Sequence, residues 1–468
     1  MEQITTKFSM NNSTSRRQFI SKLAAGSAGA MAFPYISQAS KRGNGAGNLN
    51  VGCVGIGHMG NYAVTEGLTE NLVALCDVDW RPDDAIWGDR NPAKTVDENP
   101  QAKQFTDFRR MLDKMHKDLD VVLISTPDHT HFPIAMAAME HGLPVFVQKP
   151  LAHNIWQLRT LQKAAQHYSV KTNMGNQGHT FEGARLIKEW YDHGVLGEVR
   201  EVHCWTDRPR GPWFIKPNGI PPGRESAPRK FDWDIWQGPT KERSFSSEYA
   251  PTKWRAWWDY GVGCLGDIGC HCIDTPYWAL NLGMPTAVDV MLDEPANDLF
   301  TPFGAHVIYH FPARGEKPPV TLHWYEGRSR PPLLEGMTEF PTNGMYMLGS
   351  KEIAYHEDMR PVSPQLWPRE RMQDYREILT KRTLPRVQGG PIKELFRDIK
   401  GEGPQAGSNF DYAAPLTEVI LLGSLAIRLG HRIEWDAEKM EITNVPGLER
   451  YVKEPVRKGW RYGESLWT

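Results

Sequence analysis

Six residues constrain the fold of this chain more than any others: Gly55-Ile56-Gly57-His58-Met59-Gly60. They follow an apolar run, Leu49 to Val54, and lead into a helical pattern over His58 to Thr69. Glycines at this spacing between a strand and a helix have separate jobs. The first allows a tight turn, the second lets the backbone approach a ligand, and the third lets the helix pack closely on the strand. The helix N-terminus then offers N–H groups and the positive end of its dipole to an anion. Such a unit belongs in a doubly wound α/β domain.

The following residues agree. Leu72–Cys76, Asp120–Ser125 and Pro144–Val147 read as strands, the second with the continuous apolar run of a buried parallel strand. Phe132–His141 reads as a helix that stops at Gly142. Asp77 ends the second strand, 22 residues after Gly55, where a carboxylate accepts hydrogen bonds from adenosine ribose hydroxyls. It would repel a 2′-phosphate, so the expected cofactor is NAD, with NADP disfavoured; Arg81, close by, would soften that preference.

The pattern changes after about residue 170. Val199–Trp205, Ala287–Leu292, His306–Phe311, Val320–Tyr325 and Met345–Tyr355 read as strands. Helices are fewer: Gly183–His193, part of Gly266–Leu282 and one near Leu416–Leu429. The expected architecture is a Rossmann domain over 48–170 and an α+β substrate and oligomerisation domain over 171–450, with an open, mostly antiparallel sheet. A loop-rich insertion over 207–253, a further loop-rich stretch over 358–410 and a tail over 451–468 complete it. An open sheet with helices on one face needs a cover on the other, so a homo-oligomer, dimer or tetramer, is expected.

Ahead of the fold stand Ser15-Arg16-Arg17-Gln18-Phe19-Ile20, a short small-residue apolar stretch from Leu23 to Ile36, and Ser37-Gln38-Ala39 as a cleavage site. This reads as a twin-arginine signal over residues 1–40, a bacterial export address. The expected location is periplasmic or exported, with the Tat machinery as a partner. An enzyme outside the cytoplasm has little access to a soluble cofactor pool, which constrains how it turns over.

The 468 residues suffice for two or three domains, and 40% hydrophobic with 24% charged residues is ordinary for a globular chain. A formal net charge of −2 gives no electrostatic case for nucleic acid, and no apolar run approaches the roughly 20 residues of a membrane span. The six cysteines, Cys53, Cys76, Cys204, Cys264, Cys270 and Cys272, lack the pattern of a disulfide framework. Of the 17 tryptophans, seven fall between Trp205 and Trp258. They serve either as core packing or as a platform for sugar C–H faces.

Two further motifs carry chemistry. One is Thr126-Pro127-Asp128-His129-Thr130-His131, followed by Val147-Gln148-Lys149-Pro150; the other is Gly266-Asp267-Ile268-Gly269-Cys270-His271-Cys272. Asp267 and His271 are spaced i, i+4 and share a helix face, and a neutral histidine suits proton transfer near pH 7. Cys264, Cys270, His271 and Cys272 lack zinc-type spacing, so no metal is expected there. With the glycine fingerprint, these motifs resemble the glucose–fructose oxidoreductase / inositol dehydrogenase / MocA (Gfo/Idh/MocA) family over about residues 48–450.

That resemblance implies an oxidoreductase acting on CH–OH groups. His271 would be the general base, Asp267 would lie beside the reacting hydroxyl, and Lys149 would stabilise the developing alkoxide. Gln148 stands where the family usually has glutamate. Expected cofactor contacts are Gly55 to Gly60, Asp77, Thr126, Pro127, His131 near the nicotinamide, and Lys149; His129 is assigned to solvent or a loop. Asn176, Gln177 and His179, in Asn173-Met174-Gly175-Asn176-Gln177-Gly178-His179, are candidate substrate contacts, as are Trp258, Asp259 and Tyr260.

Three functions remain open at this level. The first is an NAD-dependent dehydrogenase of a secondary hydroxyl on a sugar, glycoside or polyol, C3 of a glycoside among them. The second is a redox-neutral enzyme that retains NAD, a glycosidase, lyase or sugar–sugar oxidoreductase. The third is a non-enzymatic sensor on the same fold, against which the intact lysine, aspartate and histidine argue.

Overall fold

The structure is a computed structural model that describes residues 47–82, 90–214 and 221–468. The twin-arginine segment and its cleavage site lie outside the described residues.

The N-terminal domain is a six-stranded parallel sheet: β1 (Asn50–Val54), β2 (Asn71–Cys76), β3 (Lys103–Phe105), β4 (Val121–Ile124), β5 (Val145–Val147) and β6 (Thr172–Met174), in spatial order 3-2-1-4-5-6. The central strands β4 and β5 are buried along their whole length, which is why their sequences are unbroken apolar runs. The strand order reverses between β1 and β4, and ligands of such sheets bind beyond the carboxyl ends of the strands at that reversal. Gly55 follows β1 and Ser125-Thr126 follow β4, so both fingerprint loops open at this point.

The expected helix over 58–69 is confined to Gly60–Gly67, because His58 has φ +48° and cannot continue a helix. The helix over 132–141 begins four residues earlier, at Asp128, and ends at Glu140. Pro133 lies inside it, past the first turn, where its missing N–H removes one i→i−4 hydrogen bond.

The second domain is a nine-stranded sheet: β7 (Val199–Thr206), β8 (Ala287–Leu292), β9 (Ala305–Phe311), β10 (Val320–Glu326), β11 (Asn343–Gly349), β12 (Ile353–Glu357), β13 (Gln365–Trp367), β14 (Ile433–Asp436) and β15 (Glu441–Ile442). Its order is 13-12-11-7-10-9-8-14-15, and only β7 and β10 pair in parallel. The single strand expected over 345–355 is the hairpin β11–β12, turned at Ser350. The helix expected within 266–282 is two helices, Gly263–Cys272 and Asp274–Leu280.

Three expectations need correction. The stretch 358–410 contains the helix Gly390–Lys400, whose Ile392, Leu395, Phe396 and Ile399 pack on Val51, Cys53, Ile56 and Ala63 of the N-terminal domain. Residues 451–468 are not a free tail: Trp460 is buried and Trp467 Nε1 donates to Thr160 Oγ1 at 2.9 Å. Phe410–Leu429 is, by length and composition, apolar enough to cross a membrane. It is instead a core helix, packed against Ile155–His167 and Gly263–Cys272 with 83% of its most apolar window buried.

The face of the large sheet away from the helices is partly covered from within. Leu334, with Met337 and Phe340, packs on Trp205, Tyr325, Tyr346 and Tyr355. All six cysteines are buried and free.

Candidate active site

The glycine turn is built for close approach. Gly55 has φ +77°, and a Cβ there would lie 2.8 Å from the Ser125 backbone. A Cβ on Gly60 would lie 2.1 Å from the Gly55 carbonyl oxygen. The hydroxyls of Ser125 and Thr126, across the turn, are buried without partners. Asp77 clamps the same turn: its carboxylate accepts from Ile56 N at 2.8 Å and from Asp79 N at 3.0 Å. Burial raises its pKa to about 6, against the pull of those N–H groups. Two bonds leave further lone pairs for ribose hydroxyls. These residues fit an NAD dinucleotide laid from Asp77, across Gly55–Gly60, toward Thr126 and Pro127.

One cleft of about 410 Å³ joins this turn to the chemical motifs. Gly55, Gly57, His58, Met59, Asp77, Thr126, Pro127, Lys149, Gln177, Asp267 and His271 all line it. Lys149 follows β5, and Asp267 and His271 come from the helix Gly263–Cys272. Lys149 Nζ donates to Asp267 Oδ1 at 2.8 Å and to the Asp267 carbonyl at 2.6 Å. Arg255 Nε lies 3.3 Å from Oδ1 and Arg208 Nε 3.4 Å from Oδ2. Burial alone would raise the Asp267 carboxyl, but these three cations reverse that and hold it well below the usual carboxylate range. His271 is 2% exposed with an unpartnered Nδ1. Burial, then the Lys149 and Arg360 charges, push its pKa well below 6.5.

The cleft therefore holds an ionised aspartate locked by cations, a lysine with one donor left over, and a neutral imidazole. Gln148 accepts from Lys149 N at 3.3 Å through Oε1, while its Nε2 is buried and unpartnered.

Other expected contacts fall elsewhere. His131 is buried with ring nitrogens 2.8 Å from the Pro150 and Thr126 carbonyls. It ties the two loops together and does not line the cleft. His129 is neither solvent-exposed nor in a loop: it is 1% exposed, with its ring against the Trp236 and Tyr260 carbonyls at 2.8 and 3.2 Å. Asn176 is fully buried outside the cleft. His179 faces Asp274 at 3.1 Å, and Tyr412 donates to the same carboxylate at 2.6 Å, so it joins an internal network. Trp258 donates to the Asn297 carbonyl, Asp259 pairs with Arg243, and Tyr260 is buried among Trp236, Tyr249 and His129. The turns before the helix Gly263–Cys272 point these three away from the cleft.

Several cleft residues escaped the sequence reading. Asp128 is 5% exposed, and burial raises its carboxyl to about 7 against the opposing charges of Arg255 and Lys149. It lies inside a motif already singled out, so its type and place were the signal. Arg208 and Arg255 come from the insertion and its immediate flanks, beside Trp213, Trp236 and Trp254 of the tryptophan group read as core packing or a sugar platform; Arg360 comes from the loop after β12, and Trp460 from the C-terminal segment. No local pattern links those segments to the glycine turn.

Comparison with known proteins agrees with this layout. Residues 49–176 match the model for the Gfo/Idh/MocA oxidoreductase family, NAD-binding Rossmann fold, and residues 213–304 match that family's C-terminal alpha/beta domain. The chain is 26% identical to an alpha-N-acetylgalactosaminidase of Tannerella forsythia over 216 residues, 40% of this chain and 44% of that protein. It is 25% identical to a levoglucosan dehydrogenase of Pseudarthrobacter phenanthrenivorans over 48% of this chain and 50% of that protein. The chain thus spans no more than about half the length of these curated relatives. In fold it is similar to the WlbA dehydrogenase of Bordetella pertussis, with a TM-score of 0.56 and 15% identity, covering 83% of this chain and 99% of that one. Both domain models of the NAD-binding Gfo/Idh/MocA oxidoreductase family thus match on one chain, over residues 49–176 and 213–304, in the parts that join the nucleotide turn to the lysine, aspartate and histidine.

Proposed function

We propose that this enzyme oxidises or reduces a secondary hydroxyl of a sugar, glycoside or polyol, C3 of a glycoside among the candidates. The observation that carries this is the Lys149–Asp267 pair at 2.8 Å beside neutral His271 in the cleft of the glycine turn. NAD, held by Gly55–Gly60 and Asp77, would supply the hydride acceptor or donor for the carbinol carbon. His271, uncharged, accepts the hydroxyl proton. Asp267 stays ionised and orients Lys149, whose third N–H meets the oxygen as negative charge develops on it. The relatives named as a levoglucosan dehydrogenase and an alpha-N-acetylgalactosaminidase support a carbohydrate substrate. The test is reduction of added NAD by purified protein across a panel of sugars, glycosides and polyols. A substrate that reduces NAD with wild type and not with His271→Ala supports the reading; no reduction by any compound sinks it.

A redox-neutral enzyme that retains NAD is the second reading, and one observation favours it. The insertion roofs the cofactor groove at both ends. Trp80 N donates to the Lys230 carbonyl and Asp232 N to the Val78 carbonyl, each at 2.9 Å, while Trp213 meets His58 edge-on at 5.1 Å. A roof of this kind slows exchange. The twin-arginine segment, which we read as directing the protein to the periplasm through the Tat machinery, gives retention a purpose. Mass spectrometry of the denatured, exported protein should then release one NAD per chain; protein purified without nucleotide counts against it. The uncovered part of the large sheet supports assembly into a dimer or tetramer.

A further inference from the structure

We infer that Glu201, His203 and His323, on the outer face of the large sheet, form a site for a divalent metal ion of the zinc class.

The sheet sets the geometry. Glu201 and His203 are two residues apart on β7, so their side chains leave the same face. His323 on β10 is the residue directly paired with His203. Two ligands at i and i+2 on one strand and a third from the neighbouring strand converge with little backbone adjustment. His203 Nε2 lies 2.8 Å from Glu201 Oε1, His323 Nε2 lies 3.6 Å from the same oxygen, and the three ligand atoms lie within 4.8 Å of one another. Ligands on one tetrahedral zinc, at about 2.0–2.2 Å each, stand about 3.3 Å apart. The two measured separations bracket that value.

The other ring nitrogens are also placed for ligation. His323 Nδ1 lies 3.0 Å from His306 Nε2, and His203 Nδ1 lies 3.1 Å from the Tyr325 hydroxyl. A ligating histidine is ordinarily held through its second nitrogen, which fixes the tautomer and turns the lone pair of the first toward the metal. A plain ion pair does not account for the cluster. One imidazole N–H satisfies one Glu201 oxygen, and the second Nε2, at 3.6 Å, is too far for a hydrogen bond. Two imidazoles and a carboxylate are a zinc donor set that leaves the fourth position to water. The Glu201 side chain is 45% exposed in the single protomer, so an ion enters from solvent before this face meets a partner subunit.

The test uses tag-free mature protein stripped with a chelator and then titrated with zinc chloride or cobalt chloride. One equivalent should bind, and cobalt should give a four-coordinate visible spectrum without a thiolate charge-transfer band. Glu201→Gln and His323→Gln, both at partly exposed positions, should each weaken binding at least tenfold, while NAD binding reports that the variants are folded. His310→Ala, on the same face but outside the cluster, should bind metal as wild type does. No binding, a thiolate band, or binding unchanged by either substitution overturns the proposal.

Discussion

Asp128 gives the sharpest quantitative test of the cleft. Its carboxyl is buried at the N-terminal end of the helix Asp128–Glu140, and its pKa is pushed from 3.8 to about 7. Below pH 4 the group is protonated in both folded and unfolded chains and contributes no pH dependence. Between 4 and 7 the unfolded chain ionises while the folded chain does not, so stability falls as pH rises. Above 7 both are ionised and the loss is complete. The span from 3.8 to about 7 is about three pH units, and at about 1.4 kcal/mol per unit the full loss is about 4 kcal/mol. About two of those units lie above pH 5, so about 3 kcal/mol is lost between pH 5 and pH 8.

Asp128→Asn removes that titration and keeps the shape. Urea unfolding of NAD-free wild type and variant, followed by tryptophan fluorescence at pH 5 and pH 8, measures the difference. Variant minus wild type should grow by about 3 kcal/mol over that interval, in favour of the variant. Asp77 and Glu326, raised to about 6 and about 7, titrate in both proteins and cancel. An infrared band of a protonated carboxyl that titrates near pH 7 in wild type and is missing in the variant would identify the group. Parallel profiles, or a difference that shrinks with pH, would refute the assigned burial.

Other substitutions separate scaffold from chemistry. Gly60→Ala, whose Cβ would meet the Gly55 oxygen at 2.1 Å, should weaken NAD binding at least tenfold by calorimetry; unchanged affinity would mean the helix does not need this approach. Lys149→Met should lower kcat/KM by about 10²–10³-fold with NAD affinity within a few-fold of wild type, and a matching loss of NAD affinity would reassign the lysine to cofactor binding. His131→Ala should cost about 1–3 kcal/mol in unfolding because the buried ring, neutral with its pKa lowered to about 4, loses the one N–H bond it can give to the Thr126 or Pro150 carbonyl, and an unaltered midpoint would remove it from the scaffold. With the pKa of His271 held well below 6.5, kcat/KM should persist as pH falls through 6.5, and an acidic limb centred there would show that its burial is relieved in solution.

The parts of the fold visible in the sequence are those whose signal is local. The glycine turn, the apolar runs of β4 and β5 and the i, i+4 pair on the helix Gly263–Cys272 each depend on neighbours a few residues away, and each is where the pattern placed it. The misplaced residues depend on long-range direction. Trp258, Asp259 and Tyr260 precede the helix Gly263–Cys272 by only a few residues, yet the turn at Trp257–Gly261 aims them at Asn297, Arg243 and the Trp236 cluster. His179 was one of several polar residues in a turn, and only the tertiary fold brings Asp274 and Tyr412 to it. The helix Gly390–Lys400 carries an amphipathic stripe in a stretch rich in Gly and Pro, and those residues masked it.

The same division explains why substrate identity is harder to read than reaction type. Lys149, Asp267 and His271 sit on two motifs, and their geometry follows from a strand end and one helix. The walls around them come from the insertion, the loop after β12 and the C-terminal segment: Arg208, Trp213, Arg255, Arg360 and Trp460. Arg208 and Arg255 face Asp267 and also depress His58 at the glycine turn, whose own burial is the larger cause. One pair of cations thus serves both the cofactor turn and the reacting end. Substituting Arg208 should for that reason disturb cofactor affinity and turnover together, whereas substituting Arg360, which donates to Gln177 at 2.8 Å and whose charge acts on His271, should alter the choice of substrate while leaving NAD binding intact. Equal effects of both substitutions on NAD affinity would show that the cleft is not divided in this way.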